Sequence, residues 1–109
     1  MAFAVAVVHF CRTLPRSAEG DVFRKQLLRA GTSVGANYRA AGCGRSDREW
    51  VAKLGIALEE ADESDYWLTL LTAIQLGDAN QRATLLEETK ELTRLFATSI
   101  RTFKSSGRS

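Results

Sequence analysis

The chain is poor in residues that break helices and in residues that most often do chemistry. Of its 109 residues one is proline, Pro15, and one is histidine, His9. A single proline leaves long helices uninterrupted, and no stretch shows the alternation of a half-buried strand. The two cysteines, Cys11 and Cys43, lack CxxC spacing and have no histidine cluster beside them. They read as two reduced apolar thiols of an intracellular protein. No apolar run reaches the roughly 20 residues that span a bilayer. The run Ala2–Val8 is apolar, but no basic segment precedes it and His9, Cys11 and Arg12 follow, so it reads as a core helix rather than a signal peptide. A cytoplasmic protein without a membrane partner is expected.

Catalytic constellations are missing too. No serine or cysteine nucleophile stands with His9 in a recognisable motif. Gly42-Cys43-Gly44 has neither the preceding strand nor the lysine of a phosphate loop. The densest charge is the acidic cluster Glu59, Glu60, Asp62, Glu63, Asp65, but a di-metal bundle needs Glu-x-x-His pairs, and no glutamate stands three residues before His9. The cluster reads as a solvated or salt-bridged helix face, with Arg39, Arg45 and Arg48 as partners. No enzyme activity, metal or cofactor is expected.

What is present is helical periodicity. Ser46–Leu76 contains no proline, and Trp50, Leu54, Ala57, Ala61, Ser64, Leu68 and Leu71 recur at alternating steps of four and three, the spacing of a helix packed lengthwise on other helices. A second apolar row, Ile56, Trp67, Leu70 and Ile74, lies on another face. Two apolar faces predict a central helix, or one that also meets another subunit. Ser46-Asp47-Arg48-Glu49 fits a capping box. Phe3, Val7, Phe10 and Leu14 mark a first helix over 2–14, short at its start or continued upstream of Met1, stopped by Pro15 and followed by the polar turn Arg16–Gly20. Phe23, Leu27, Ala30, Val34, Asn37 and Ala41 mark a second over 21–41, in which Gly31 and Gly35 predict a bend or close packing around Thr32–Asn37. The third spans 47–76 and is closed by Gly77. The fourth, capped by Asp78 or Asn80, spans 80–103 with Leu85, Thr89, Leu92, Phe96, Ser99 and Phe103 inward. Connections this short force antiparallel neighbours. The expectation is an all-α, up-down-up-down four-helix bundle in one domain over 1–104, with a flexible tail at 105–109.

Within this bundle Ser33 and Asn37, one turn apart, read as a polar pair hydrogen-bonded across the bundle, or as groove-facing groups with Arg39. Residues 1–58 carry nine Lys/Arg against four Asp/Glu, and residues 59–109 carry six against nine. Folding can pair the two halves internally. Arg24, Lys25, Arg29, Arg39, Arg45, Arg48 and Lys53, with Arg94, Arg101 and Lys104 on the fourth helix, form an ordinary surface in one copy. Around a ring they become a positive band able to hold RNA or DNA backbone. No helix-turn-helix, zinc or aromatic ribonucleoprotein motif is present.

The segments RKQLLRAGTSVGANYRAA (24–41) and RS-x-x-EW-x-AKLGIALEEADESDYWL (45–68) resemble the four helix bundle protein family, also described as proteins encoded in intervening sequences of bacterial 23S ribosomal RNA genes. Gln26, Arg29, Ala30, Ser33, Val34, Asn37, Arg45, Ser46, Leu54, Glu60, Glu63 and Leu68 carry the resemblance. It implies an antiparallel bundle, homopentameric assembly and no established reaction. A related branch is similar to the accessory protein of diversity-generating retroelements, a basic pentameric barrel that contacts nucleic acid and a reverse transcriptase. That branch implies the alternative of an adaptor to a separate enzyme. Tyr38-Arg39-Ala40-Ala41 departs from the Ile-Ala-Glu-Gly common in the family, Cys43-Gly44 replaces a more helical pair, and a net charge of +2 is low for the accessory branch.

Overall fold

The computed structural model describes residues 2–106. Four helices follow one another: α1 (Ala2–Cys11), α2 (Ala18–Gly42), α3 (Asp47–Ala73) and α4 (Ala79–Ser105). Each packs on its neighbours in a closed square: α1 on α2 and α4, α3 on α2 and α4, with no close approach across either diagonal. Cross-helix contacts give the directions. Gly31 meets Val7 and Gly35 meets Ala4. Phe23 faces Trp67 and Trp50 faces Phe103. All run antiparallel, so the molecule is an up-down-up-down four-helix bundle about 48 Å long and 20 Å thick.

The predicted inward rows are the observed ones. Leu54, Ala57, Ala61, Ser64, Leu68 and Leu71 of α3 are buried, and Trp50 at the row's start is half-buried. Buried hydroxyls on these rows turn back to their own helix, Ser64 Oγ donating to Glu60 O at 2.9 Å and Thr89 Oγ1 to Leu85 O at 2.7 Å, so they add no unsatisfied donor. The core has two parts. One joins all four helices around Val7, Phe10, Leu27, Leu68, Leu71 and Leu85. The other lies mainly between α2, α3 and α4 around Val34, Leu54, Ala57, Ala61 and Phe96, with Phe3 of α1 packed against it. The division follows from length: α1 has 10 residues and α3 has 27. At about 1.5 Å per residue, α1 covers less than half of its neighbours.

Helix ends depart from the expected positions for local reasons. α1 ends at Cys11, and Thr13 and Leu14 turn through backbone bonds to Phe10 and Cys11 carbonyls. α2 begins three residues earlier than expected, because Ser17 acts as N-cap and its side chain accepts from Gly20 N; most of the predicted polar turn is therefore helix. Ser46 caps α3 as expected, its Oγ accepting from Glu49 N at 3.1 Å. α3 ends at Ala73 rather than Leu76. Leu76 N donates to Leu71 O and Gln75 N to Thr72 O, with Gln75 at φ 56°: a Schellman closure whose left-handed position holds glutamine. Gly77, at φ 80°, belongs to the connection, where its bare backbone lies against the Phe10 ring. Asp78 is the α4 cap, accepting from Gln81 N. α4 runs to Ser105, so the predicted tail starts inside the helix; residues 107–109 and the question of Met1 lie outside the described residues.

The close packing predicted around Thr32–Asn37 falls instead at Gly31, just before that stretch, while Gly35 makes only an ordinary contact with Ala4. A Cβ at Gly31 would stand 2.8 Å from both Val7 methyl groups. Gly31 therefore sets the distance between α1 and α2. Gly31→Ala is expected to lower stability by about 1–3 kcal/mol through overpacking, despite alanine's better helix propensity. Urea denaturation measures it, and a gain in stability would contradict the packing argument.

Candidate functional site

The arginines divide into those held by the fold and those left open. At the pole formed by the α1–α2 and α3–α4 connections, Arg24 Nη2 donates to Leu14 O and Pro15 O at 3.0 Å each, while Nη1 pairs with Asp21 at 2.6 Å. Arg82, only 8% exposed, donates through Nη1 to Leu76 O at 2.7 Å and Gly77 O at 3.2 Å. Each guanidinium thus serves the carbonyls of one connection. Asp78 N donates to Thr13 Oγ1 at 2.9 Å and ties the two connections together. Arg24 is part of this clasp rather than a free cation. Sequence reasoning missed Arg82; the adjacent Gly77-Asp78 turn signal gave no hint of a buried guanidinium.

Midway along the bundle, Arg29 of α2 donates to Glu60 at 3.0 Å and to Glu63, which also accepts from Trp67 Nε1 at 3.1 Å. Lys90 of α4 pairs with Asp65 at 3.3 Å. The acidic cluster is therefore salt-bridged, as expected, but by Arg29 and Lys90 and not by Arg39, Arg45 or Arg48. Glu59 lies 12 residues into α3, some 18 Å along its axis, beyond reach of arginines at the α2–α3 turn. The guanidinium and the indole N–H hold the Glu63 carboxyl below its ordinary value, and the two carboxylates hold Arg29 above its own. The same ion group interrupts the second apolar row. Trp67 and Leu70 are half-buried, with Trp67 leaning on Phe23, while Ile56 and Ile74 remain 41% and 44% exposed.

Ser33 and Asn37 are half-buried and pair within α2: Asn37 Nδ2 donates to Ser33 Oγ and Ser33 O at 3.0 Å each. The expected bond across the bundle is not formed, because side chains one turn apart reach each other first.

The opposite pole is different. Here α2 ends at Gly42, Cys43 is its C-cap, and α3 begins. Residues 39–53 and 97–106 bring Arg39, Arg45, Arg48, Lys53, Arg101 and Lys104 to this end, against Asp47 and Glu49 in the first turn of α3. Among the described residues none of these six cations forms an ion pair. Lys25 is exposed on the early turns of α2, well away from them, and Arg94 lies nearer the middle of α4. A cleft of about 300 Å³ opens between α2, α3 and α4, lined by Tyr38, Arg39, Trp50, Leu54, Leu95 and Phe96 among others.

Chemistry of other kinds is thinly supported. His9 is exposed and lines a larger cavity of about 570 Å³ between α1 and α4 with Asn80, Gln81, Thr84 and Glu88. Among the described residues no three His, Cys, Asp or Glu side chains are grouped to hold a metal. Burial pushes the Cys11 thiol up to about 11, which keeps it protonated and inert; Cys43 is exposed and free. No helix is long and apolar enough to cross a membrane among the described residues.

Because the Glu63 carboxyl is depressed in the folded state, its contribution to stability is present above its ordinary value of 4.5 and is lost as pH falls through the lower folded value. A side chain 34% exposed is screened by solvent, so Glu63→Gln is expected to cost less than about 1 kcal/mol at neutral pH. The difference from the parent protein should close in acid, as read from urea denaturation at both pH values. A gap that persists unchanged in acid would contradict this assignment.

Comparison with known proteins agrees with the bundle. A crystal structure of a protein of unknown function from the S23 ribosomal protein family of Bacteroides thetaiotaomicron is 36% identical, with a TM-score of 0.82 over 91% of this chain and 92% of that chain. No curated protein matches. The profile of the 23S rRNA-intervening sequence proteins matches residues 1–98, nearly the whole bundle, and the chain belongs to that family.

Proposed function

We propose that this protein is a non-enzymatic helical bundle that assembles with its own copies and associates with nucleic-acid backbone through the pole at the α2–α3 turn. The observation that carries the reading is the contrast between two sets of arginines. Arg24, Arg29 and Arg82 are engaged by carbonyls or carboxylates, whereas Arg39, Arg45, Arg48 and Arg101 form no ion pair among the described residues. Unpaired guanidinium groups gathered at one end are suited to phosphate, which they can grip bidentately. Neutralised phosphates release counterions, so binding should weaken steeply with salt. Replacing Arg39, Arg45 and Arg48 together by glutamine should flatten the salt dependence of RNA binding by about two units of log–log slope per copy. Equal slopes, or no retention of RNA or DNA at low salt, would overturn the reading.

The assembly part rests on the outer face of α3, where Ile56 stands exposed, and on Ile74, exposed at the helix's C-cap. Copies of this chain, five by the family resemblance, would cover it and repeat the basic pole around a ring. Light scattering should give a mass several times that of one chain, and Ile56→Glu with Ile74→Glu should reduce it to one. A strict monomer at micromolar concentration would instead favour the adaptor reading, in which this face meets a different protein, for example a reverse transcriptase.

A further inference from the structure

We infer that the cavity between α1 and α4 is a site for a small organic cation, an amine or guanidine carried on a short apolar stem. The site is separate from the basic pole and from the outer face of α3.

The cavity lies in the four-helix section of the bundle, and it exists because α1 is held to one side. Gly31 admits Val7 closely, so α1 rests against α2, and it lies less closely along α4. The space left, about 570 Å³, falls within the roughly 300–1,000 Å³ typical of small-molecule sites. Its apolar surface comes from Ala6 and from Leu85, a buried member of the core.

The polar groups around this space are not used by the fold. Thr72, Thr89 and Thr93 turn their hydroxyls back onto their own helices, at 2.7, 2.7 and 2.9 Å. Thr84, on the cavity wall, does not. Among the described residues the side chains of His9, Asn80, Gln81 and Glu88 also make no hydrogen bond within the protein. Glu88 is half-buried and forms no ion pair there. No lysine or arginine lines the cavity. Lys90 is turned to Asp65, and Arg82 to the carbonyls of the α3–α4 connection.

This set of groups selects the charge of the occupant. A carboxylate beside an apolar wall is partly stripped of water, so it attracts a cation more strongly than it would in bulk solvent. An ammonium or guanidinium meeting Glu88 forms a charge-assisted hydrogen bond. The remaining N–H groups of such a ligand need acceptors, and the Asn80 and Gln81 amide oxygens and the Thr84 hydroxyl supply them. The stem lies on Ala6 and Leu85. An anion would meet Glu88, with Glu87 and Glu91 close by on α4, and no cation on the wall to offset them.

Agmatine, which carries a guanidinium and an ammonium on a butyl stem, is the probe. Glutarate and pentanediol serve as an anion and a neutral molecule of similar length. Amide chemical-shift mapping on the full chain should show saturable shifts over Ala6–His9 and Asn80–Glu88 with agmatine and with neither of the others. Glu88→Gln should weaken agmatine about tenfold, the scale of one lost hydrogen bond to a charged group. Glu87→Gln, exposed on the other side of α4, should stay near the parent value. Thermal melts confirm that both variants fold. Glutarate binding as well as agmatine, no effect of Glu88→Gln, or no saturable shift at these residues would each overturn the inference. A fall in mass by light scattering on adding agmatine would show that the cation held here is a side chain of a second copy, and would overturn the assignment to a free ligand.

Discussion

The buried row of α3 is the constraint on which the rest of the molecule depends. Leu54, Ala57, Ala61, Ser64, Leu68 and Leu71 face inward along a helix of 27 residues, and the row changes character along its length. In its first half it carries alanines, against which Val34 of α2 and Phe96 of α4 pack with Leu54. Towards the end it is built from leucines, which fill the wider four-helix section with Phe10, Leu27 and Leu85. Small residues where three helices meet and large ones where four meet keep the interior close-packed. Gly31 does for α1 what the alanines do for α3, removing a side chain where a neighbouring backbone must come near.

From this follows the difference between the two ends. The four-helix end has two connections to stabilise, and it satisfies their carbonyls with Arg24 and Arg82 and links them through Thr13. Polar groups there are used internally. The three-helix end has one connection, capped by Ser46, and needs no arginine to hold it. Its cations form no ion pair among the described residues, and Tyr38, Trp50 and Leu95 line a cleft there. One chain of +2 net charge thus presents a strongly basic end without being a strongly basic protein.

Much of this was legible in the sequence, because four-three periodicity reports directly on which side chains a helix buries. The rows of α2, α3 and α4, the Ser46 cap and the antiparallel order required no tertiary knowledge. Helix ends were less legible where two local signals compete. Ser17 was hidden in a polar stretch that reads as turn, and the closure of α3 uses Gln75 in a conformation glycine normally supplies, so Gly77 drew the boundary to itself. The roles of the arginines were the least legible. Arg24, Arg29 and Arg39 look alike along the chain, and only the three-dimensional neighbours separate a clasp on Leu14 and Pro15, an ion group with Glu60 and Glu63, and an open cation. The cleft was illegible for the same reason: Tyr38 and Phe96 are 58 positions apart and meet only in the folded bundle.

The central claim is that the two ends differ in what they can bind. Amide chemical-shift mapping with an unstructured oligonucleotide at low salt tests it most directly. The account predicts perturbations confined to the α2–α3 pole, over Tyr38–Trp50 and Ser99–Lys104, with Arg24, Arg82 and their connections unmoved. Perturbations centred on the α1–α2 and α3–α4 connections, or none at saturating oligonucleotide, would contradict it.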